Sequence, residues 1–443
     1  MLSRRALLVA SAAALVGLRT RPLWAAAAPE PSLKPNVPED QSRAFQAALD
    51  RATAAGRPLV LAPGRYEIGG IRLPDGARIA GEPRFTRLRS SADRPVFTAE
   101  RLRRAALVGL DIDGADRLMG NEPGVVVARA VEDLVIEDCA IGKSTRSALA
   151  LEACGGRIEN NRLATNFEFG IISREAKGLA IRANTVADCA DGGILVHRSA
   201  PGDDGTIVAG NRIERIRARS GGTGQVGNGI NIFKAGNVQI TGNKITDCAL
   251  SAIRSNTGSD VQIVGNHCRN SGEVAIYSEY EFQGALIADN LVDGATCGIS
   301  VANFLQGGRL AVVQGNLIRN LTTVPPYEVK QPMFGIGIVV EADTTVTGNT
   351  IEGAPLFGML LGWGPYLRDV TVTGNLIRDA GVGIAVSVVE GARDTLIAQN
   401  IIHGTKRGGI VGFRWHDMAT GELGSPGADV PKHLTISGNR IAK

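Results

Sequence analysis

Ten polar residues carry most of the chain's capacity for chemistry. They follow glycine- or alanine-led apolar phrases: FGIISRE, GGILVHR, NGINIFK, SAIRSNT, VAIYSEY and CGISVAN. Alternation by two along such phrases sends every second side chain to the same side. The side chains collected in this way, or at the phrase ends, are Arg174, His197, Asn231, Lys234, Arg254, Asn256, Tyr277, Glu279, Tyr280 and Asn303. Removing a proton beside a carboxylate and expelling an oxygen needs a base, a cation and an acid. His197, Lys234 or Tyr277 can serve as the base, and Arg254 or Arg174 as the carboxylate clamp. Hydrolysis of a glycoside instead needs two carboxylates flanking the bond. Glu279 offers one, with Glu152 or Glu341 several phrases away as its partner. The same strip also suits a binding face that performs no chemistry.

The elements that position these residues recur. A phrase of the form apolar-x-Gly-Asn-x-apolar appears as ITGNKI, IVGNHC, VTGNTI, VTGNLI and ISGNRI, with looser copies between. Its asparagine falls at 161, 184, 211, 243, 266, 290, 316, 349, 375, 400 and 439, with Cys139 and Leu110 at two earlier registers. Most intervals are 22–27 residues. Several short alternating strands per interval, joined by glycine and asparagine, describe one coil of a stacked solenoid. The 13 registers then make a rod of roughly 60 Å at the strand spacing. The asparagines read as an internal ladder in turns that tolerate left-handed backbone.

Composition agrees. The chain has 443 residues, 56 of them glycine, with 44% hydrophobic and only 4% aromatic residues. The hydrophobic fraction excludes wholesale disorder. Outside the N-terminus no apolar run is long enough to span a bilayer, so no membrane span is expected in the mature chain. Residues 1–28 combine Arg4-Arg5, an apolar run from Ala6 to Leu18 and the small residues Ala25–Ala28. This is the pattern of a signal peptide, and its paired arginines that of the twin-arginine export machinery. Removing Arg4, Arg5, Arg19 and Arg21 turns 48 basic and 44 acidic residues into 44 of each. Global basicity then gives no support to a nucleic-acid partner.

Six cysteines, at 139, 154, 189, 248, 268 and 297, form no C-x-x-C pair. Cys189 and Cys248 sit at the same register with a whole coil between them, too far apart for a disulfide. They read as small buried hydrophobes. Asp188, Asp191, Asp203 and Asp204 read as polar turns rather than a calcium site. No metal or cofactor is expected.

These repeats, with the stretch DQSRAFQAALDRATAAGRPLVLAPGRYEI (40–68), resemble the right-handed parallel β-helix of the pectate-lyase-like superfamily. With the signal they more narrowly resemble a family of twin-arginine-exported repeat proteins. The resemblance implies an all-β, single-stranded right-handed parallel β-helix of about 13 coils with an N-terminal capping α-helix. The implied parts are a signal over 1–28, a linker over 29–38, a capping helix over 39–56 and the β-helix over 57–443. In the helix, Asp40 is the expected N-cap, Phe45, Ala48, Leu49 and Ala52 the apolar face, and Gly56 the C′ residue. The resemblance also makes the glycine-apolar strands the ligand face. It implies a periplasmic or secreted protein that binds, and cleaves or epimerises, an extended acidic polysaccharide. The alternative is a non-catalytic periplasmic carbohydrate-binding or assembly scaffold. The motifs of polygalacturonases (Asn-Thr-Asp, Gly-His-Gly, Arg-Ile-Lys) and alginate epimerases (Asp-Pro-His-Asp) are missing, so no catalytic residue transfers by motif.

Three insertions adjoin this face: RARSGGTGQVGNG, a candidate lid; LTTVPPYEVKQPMF; and FRWHDMATGELGSPGADVPK, a candidate cover for the last coil.

Overall fold

Period-two alternation, repeated every coil, builds three strands per turn of a parallel solenoid. The computed structural model describes residues 28–222, 224–303, 309–329 and 333–442. The signal segment therefore lies outside the described residues, apart from Ala28. One representative coil runs Ile207–Ala209 on face 1, Arg212–Ile216 on face 2 and Asn228–Gly236 on face 3. The next runs Gln239–Thr241, Lys244–Cys248 and Ile253–Asn256, each strand parallel to its counterpart. About 14 turns stack in this way, one more than the recurring phrase marks.

The inward rows hold the core. On face 2, Ile213, Ile245, Cys268, Val292 and Ile318 stack in register, all buried. Each such side chain contributes roughly 1.5–3 kcal/mol by leaving water. All six cysteines are free and buried. Cys248 pairs in register with Ile216, which keeps Cys189 a further coil away.

The asparagine ladder is continuous from Asn161 to Asn439. Asn243 donates its backbone N–H and its side-chain amide to Asn266 Oδ1 (3.0 and 2.9 Å), and the same amide donates to Val208 O at 3.0 Å. Asn266 repeats the pattern on Asn290. The left-handed residue of this turn is not the asparagine but the one before it: Gly210, Gly242, Gly265, Gly315, Gly348, Gly374 and Gly438, all with φ of 62–67°. In the looser copies Asn160, Ala183, Asp289 and Gln399 hold that position. The asparagine is used for its amide, and the glycine for its backbone.

Among the described residues there is one α-helix, Ser42–Ala54, which buries Phe45, Ala48, Leu49 and Ala52. Gly56 ends it at φ 63°, with Gly56 N donating to Thr53 O and Arg57 N to Ala52 O. Those two bonds make a Schellman stop. The start differs from expectation. The N-cap is Gln41, without a side-chain capping bond. Asp40 instead accepts from the N–H of Ser42, the second residue on, at 2.9 Å.

At the other end, Asp417–Glu422 runs antiparallel to the last face 3 strand, Ile410–Arg414. Leu423 then enters the core. An antiparallel partner and an inserted leucine close the edge that a parallel stack leaves open.

Candidate functional site

Register places the outward row of face 3 as alternation by two requires. Leu195, Asn231, Arg254, Tyr277 and Ser300 are successive partners, and beside them run Arg174, His197, Phe233, Asn256 and Glu279. The structure divides these residues into two groups. Phe233 stands between His197 and Asn256 and packs edge-on against the imidazole, with centroids 5.7 Å apart.

In the first group, His197 Nε2 lies 2.7 Å from Asn231 Oδ1. Burial dominates the imidazole's titration and lowers its pKa to about 4, against the opposing bond to Asn231. The ring is therefore neutral at pH 7. Arg174 is exposed beside it in register. Lys234 donates to Ser199 O at 3.3 Å, and its ammonium lies 4.9 Å from the Phe233 ring.

The second group is a buried charge cluster. Arg254 is 8% exposed and Glu279 1%. Arg254 Nε donates to Glu279 Oε1 at 2.7 Å, and Asn256 Nδ2 donates to the same oxygen at 2.8 Å. On its other side the guanidinium lies 4.0 Å from Glu273 Oε2. The guanidinium carbon is 5.1 Å from the Tyr277 ring centre. Burial is the largest single influence and lowers the arginine's pKa, but the bond to Glu279 and the charges of Glu279 and Glu273 together outweigh it and the net direction is upward. Burial raises Glu273 and raises Tyr277 strongly. Two buried oxygens, Glu273 Oε2 and Glu279 Oε2, receive no hydrogen bond from the described residues.

Glu273 and Tyr327 do not figure in the sequence reading. Tyr327, from the second insertion, donates its hydroxyl to Glu273 Oε1. Glu273 immediately precedes a face 3 strand, at a register where two earlier coils carry Glu168 and Asp191 and the two between carry Gly227 and Leu250. That recurring acidic position was the available signal; the reach of Tyr327 had none. The carboxylate nearest Glu279 across the guanidinium is thus Glu273. Glu152 lies five coils away.

Three of the candidate residues lie off the rows. Asn303 is buried, with Nδ2 donating to Ala342 O at 2.7 Å and Oδ1 accepting from Ala342 N at 3.1 Å, so it ties two coils together. Lys234 and Tyr280 hold left-handed turn positions that other coils give to Ala153, Glu175 and Thr257. They belong to the turn leaving face 3, not to its rows.

The expected lid over 217–227 is pinned at its base. Asp191 accepts from Ser220 N (2.8 Å) and Oγ (2.6 Å), and Gly227 N donates to Asp191 O. Asp188 binds Arg215, and Asp204 accepts from Thr206. Asp188, Asp191 and one oxygen of Asp204 are thus held by protein partners. Along face 3 the polar centre is flanked by apolar outward residues: Val127, Ala150, Ile172 and Leu195 on one side, Leu360, Ala385 and Val411 on the other, all buried.

Two family models match parts of the chain. Residues 117–224 match "Right handed beta helix region", and residues 215–416 match "Periplasmic copper-binding protein (NosD)". No relative is found among the curated proteins. Among solved structures, the chain is similar to the A-module of an Azotobacter vinelandii mannuronan C-5 epimerase. Identity there is 15%, with 91% of this chain and 96% of that one covered and a TM-score of 0.47. It is similar at 16% identity to the catalytic unit of a Streptomyces thermodiastaticus GH87 α-1,3-glucanase, covering 95% and 69%, TM-score 0.48. It is also similar at 11% identity to bacteriophage phi29 gene product 12, covering 93% and 71%, TM-score 0.49. At such identities the likeness concerns the fold alone. The parallel in-register coils and the β-helix family model over residues 117–224 show a right-handed parallel β-helix, the fold of the pectate-lyase-like superfamily.

Proposed function

We propose that this is an exported glycan-binding β-helix whose ligand lies along the outer surface of face 3, centred on Arg254, Glu273 and Glu279. One observation carries the reading. Charged groups are buried on and beside an outward-facing row, and two of their carboxylate oxygens have no donor among the described residues. An unsatisfied buried acceptor costs about 1–3 kcal/mol or more when charged. Buried charge kept at that cost supports a functional centre, and a hydroxyl-rich polymer contacts the accessible groups around it. Because Arg254 is already held by Glu279, the exposed Arg174 and the half-buried Lys234 are the better partners for sugar carboxylates. Export is supported by the pattern of residues 1–28, and the family description of residues 215–416 names a periplasmic protein.

For chemistry, the arrangement favours hydrolysis over elimination. Tyr277 is raised well above the range in which it ionises at neutral pH, and His197 is buried. Two carboxylates lie on one guanidinium, and burial raises the pKa of Glu273. Two carboxyl groups in unlike surroundings are the starting point that glycoside hydrolysis uses.

Copper, named in one family description, finds no fitting donor set. Among the described residues no three His, Cys, Asp or Glu side chains come together as metal ligands. Burial pushes the thiols of Cys139, Cys189, Cys268 and Cys297 up to about 12.

The test is incubation with alginate, polygalacturonate, xylan and α- and β-glucans, following unsaturated products, reducing ends and retardation in affinity gels. New reducing ends support a hydrolase; retardation without product supports a binding protein. Neither, across all the polymers, contradicts the reading.

A further inference from the structure

Four coils beyond Arg254, the same outward row opens into a cavity of about 300 Å³. Val339 and Leu360, which follow Tyr277 and Ser300 in register, form part of its floor. Trp363, Met333 and His416 wall it, and the buried Glu341 carboxylate belongs to its lining. We infer that this cavity is a second sugar subsite, which stacks a pyranose ring on the Trp363–Trp415 pair. The inference rests on the glycan-binding reading above and extends it.

The aromatic pair is built rather than incidental. Trp415 and His416 form the tip of the hairpin joining Ile410–Arg414 to Asp417–Glu422. Both rings meet Trp363 edge-on, with centroids at 5.4 and 4.9 Å. Gly364 makes room for this contact, since a Cβ there would fall 2.3 Å from the Trp415 ring. The hairpin does not need Trp415 as its anchor. Phe413 is buried against Phe357 with centroids 5.1 Å apart, and Leu423 is in the core. Trp415 nevertheless stays 46% exposed, an indole held edge-on against Trp363, which does line the cavity.

The chemistry selects the occupant. The aliphatic C–H face of a pyranose suits an indole, and its hydroxyls suit the Glu341 carboxylate. A buried carboxylate in the wall disfavours a lipid chain. The position also fits. Three to four coils separate the cavity from Arg254, roughly 14–19 Å at the coil spacing, so one oligosaccharide strand along the row can reach both. The volume lies at the small end of the range for ligand pockets, which suits a single ring.

Intrinsic fluorescence tests this directly, because Trp363 and Trp415 are two of only three tryptophans in the chain. The full chain is titrated with cellohexaose, maltohexaose and the hexamers of mannuronate and galacturonate, with calorimetry in parallel. The expected result is a fluorescence change with every hexamer that binds. Trp415→Ala and Gly364→Ala should each weaken that hexamer about ten-fold, while the corresponding dimer, held at the Arg254 centre, is unaffected. Circular dichroism checks that both variants fold. A hexamer that binds by calorimetry without changing fluorescence, and equally well to Trp415→Ala, overturns the subsite and leaves the broader reading standing. Failure of every hexamer to bind overturns both.

Discussion

Arg254 and Glu279 meet diagonally across two coils, Nε to Oε1 at 2.7 Å, although both project from the outer surface of the rod. Register pairs Arg254 with Tyr277 and Asn256 with Glu279, so the ion pair crosses the rows. Outward-facing charges ordinarily reach water. Here Tyr327, from the second insertion, reaches over the coil to Glu273 and the charges are buried.

Removing one member of this cluster leaves the other stranded. Glu279→Gln should cost about 3–5 kcal/mol, because the guanidinium loses its short ion pair and Glu273 stands no nearer than 4.0 Å. Arg254→Met combined with Glu279→Gln should be less damaging than Glu279→Gln alone. Denaturant melts of the two single variants and the double variant measure the coupling. Additive losses would contradict the buried pair.

His197 should make the rod acid-sensitive. Its pKa in the folded chain, about 4, lies below the ordinary 6.5. Between those values the unfolded chain takes up a proton that the native chain does not. The stabilisation is complete above pH 6.5 and is lost as pH falls towards 4, by about 3 kcal/mol in total. Comparing urea melts at pH 7 and pH 4.5 for wild type and His197→Gln isolates the term. Equal pH dependence in the two proteins would rule it out.

The ladder should weaken according to position. Asn266→Ala removes an acceptor from two Asn243 donors and a donor from Ile240 O and Asn290, all buried. About 3 kcal/mol should be lost. Asn439→Ala, at the part-buried end of the ladder, should cost markedly less. Ala183→Gly should go the other way and stabilise by about 0.5–1 kcal/mol, since Ala183 holds φ 52° at an exposed turn. Thermal melts of the three variants settle the order.

Much of this architecture was legible because a repeat reports itself. Alternation by two, anchored on a glycine in most coils, yields the register from Ala150 to Ala385 residue by residue. The spacing of the asparagines yields the ladder. What repetition does not encode was missed. Tyr327 reaches Glu273 from an irregular insertion, and no periodicity foretells where such a loop lands. Asn303 looks like a surface amide in sequence, yet it bonds Ala342 across an insertion of variable length. The capping helix was readable at its end, where Gly56 is required, and less so at its start, where Gln41 displaces Asp40 as the cap.

The segment after the last face 3 strand should keep the rod monomeric. Glu422 accepts from the N–H groups of Gly409 and Ile410, and Leu423 and Val430 pack on the core. Deleting residues 415–433 uncovers that end and one strand edge. Aggregation by light scattering is expected. A soluble, monomeric deletion variant would show that the segment is not a cover.

The central claim is that face 3 receives a glycan, and calorimetric titration tests it most directly. Oligosaccharides of alginate, polygalacturonate, xylan and α- and β-glucan are titrated into wild type, Arg174→Ala, Asn256→Ala and Lys244→Ala, the last an exposed change on face 2. At least one oligosaccharide should bind wild type and Lys244→Ala alike. It should bind the two face 3 variants about ten-fold more weakly, about 1.4 kcal/mol. Binding to none of them, or binding that Lys244→Ala abolishes and the face 3 variants leave intact, would contradict the account.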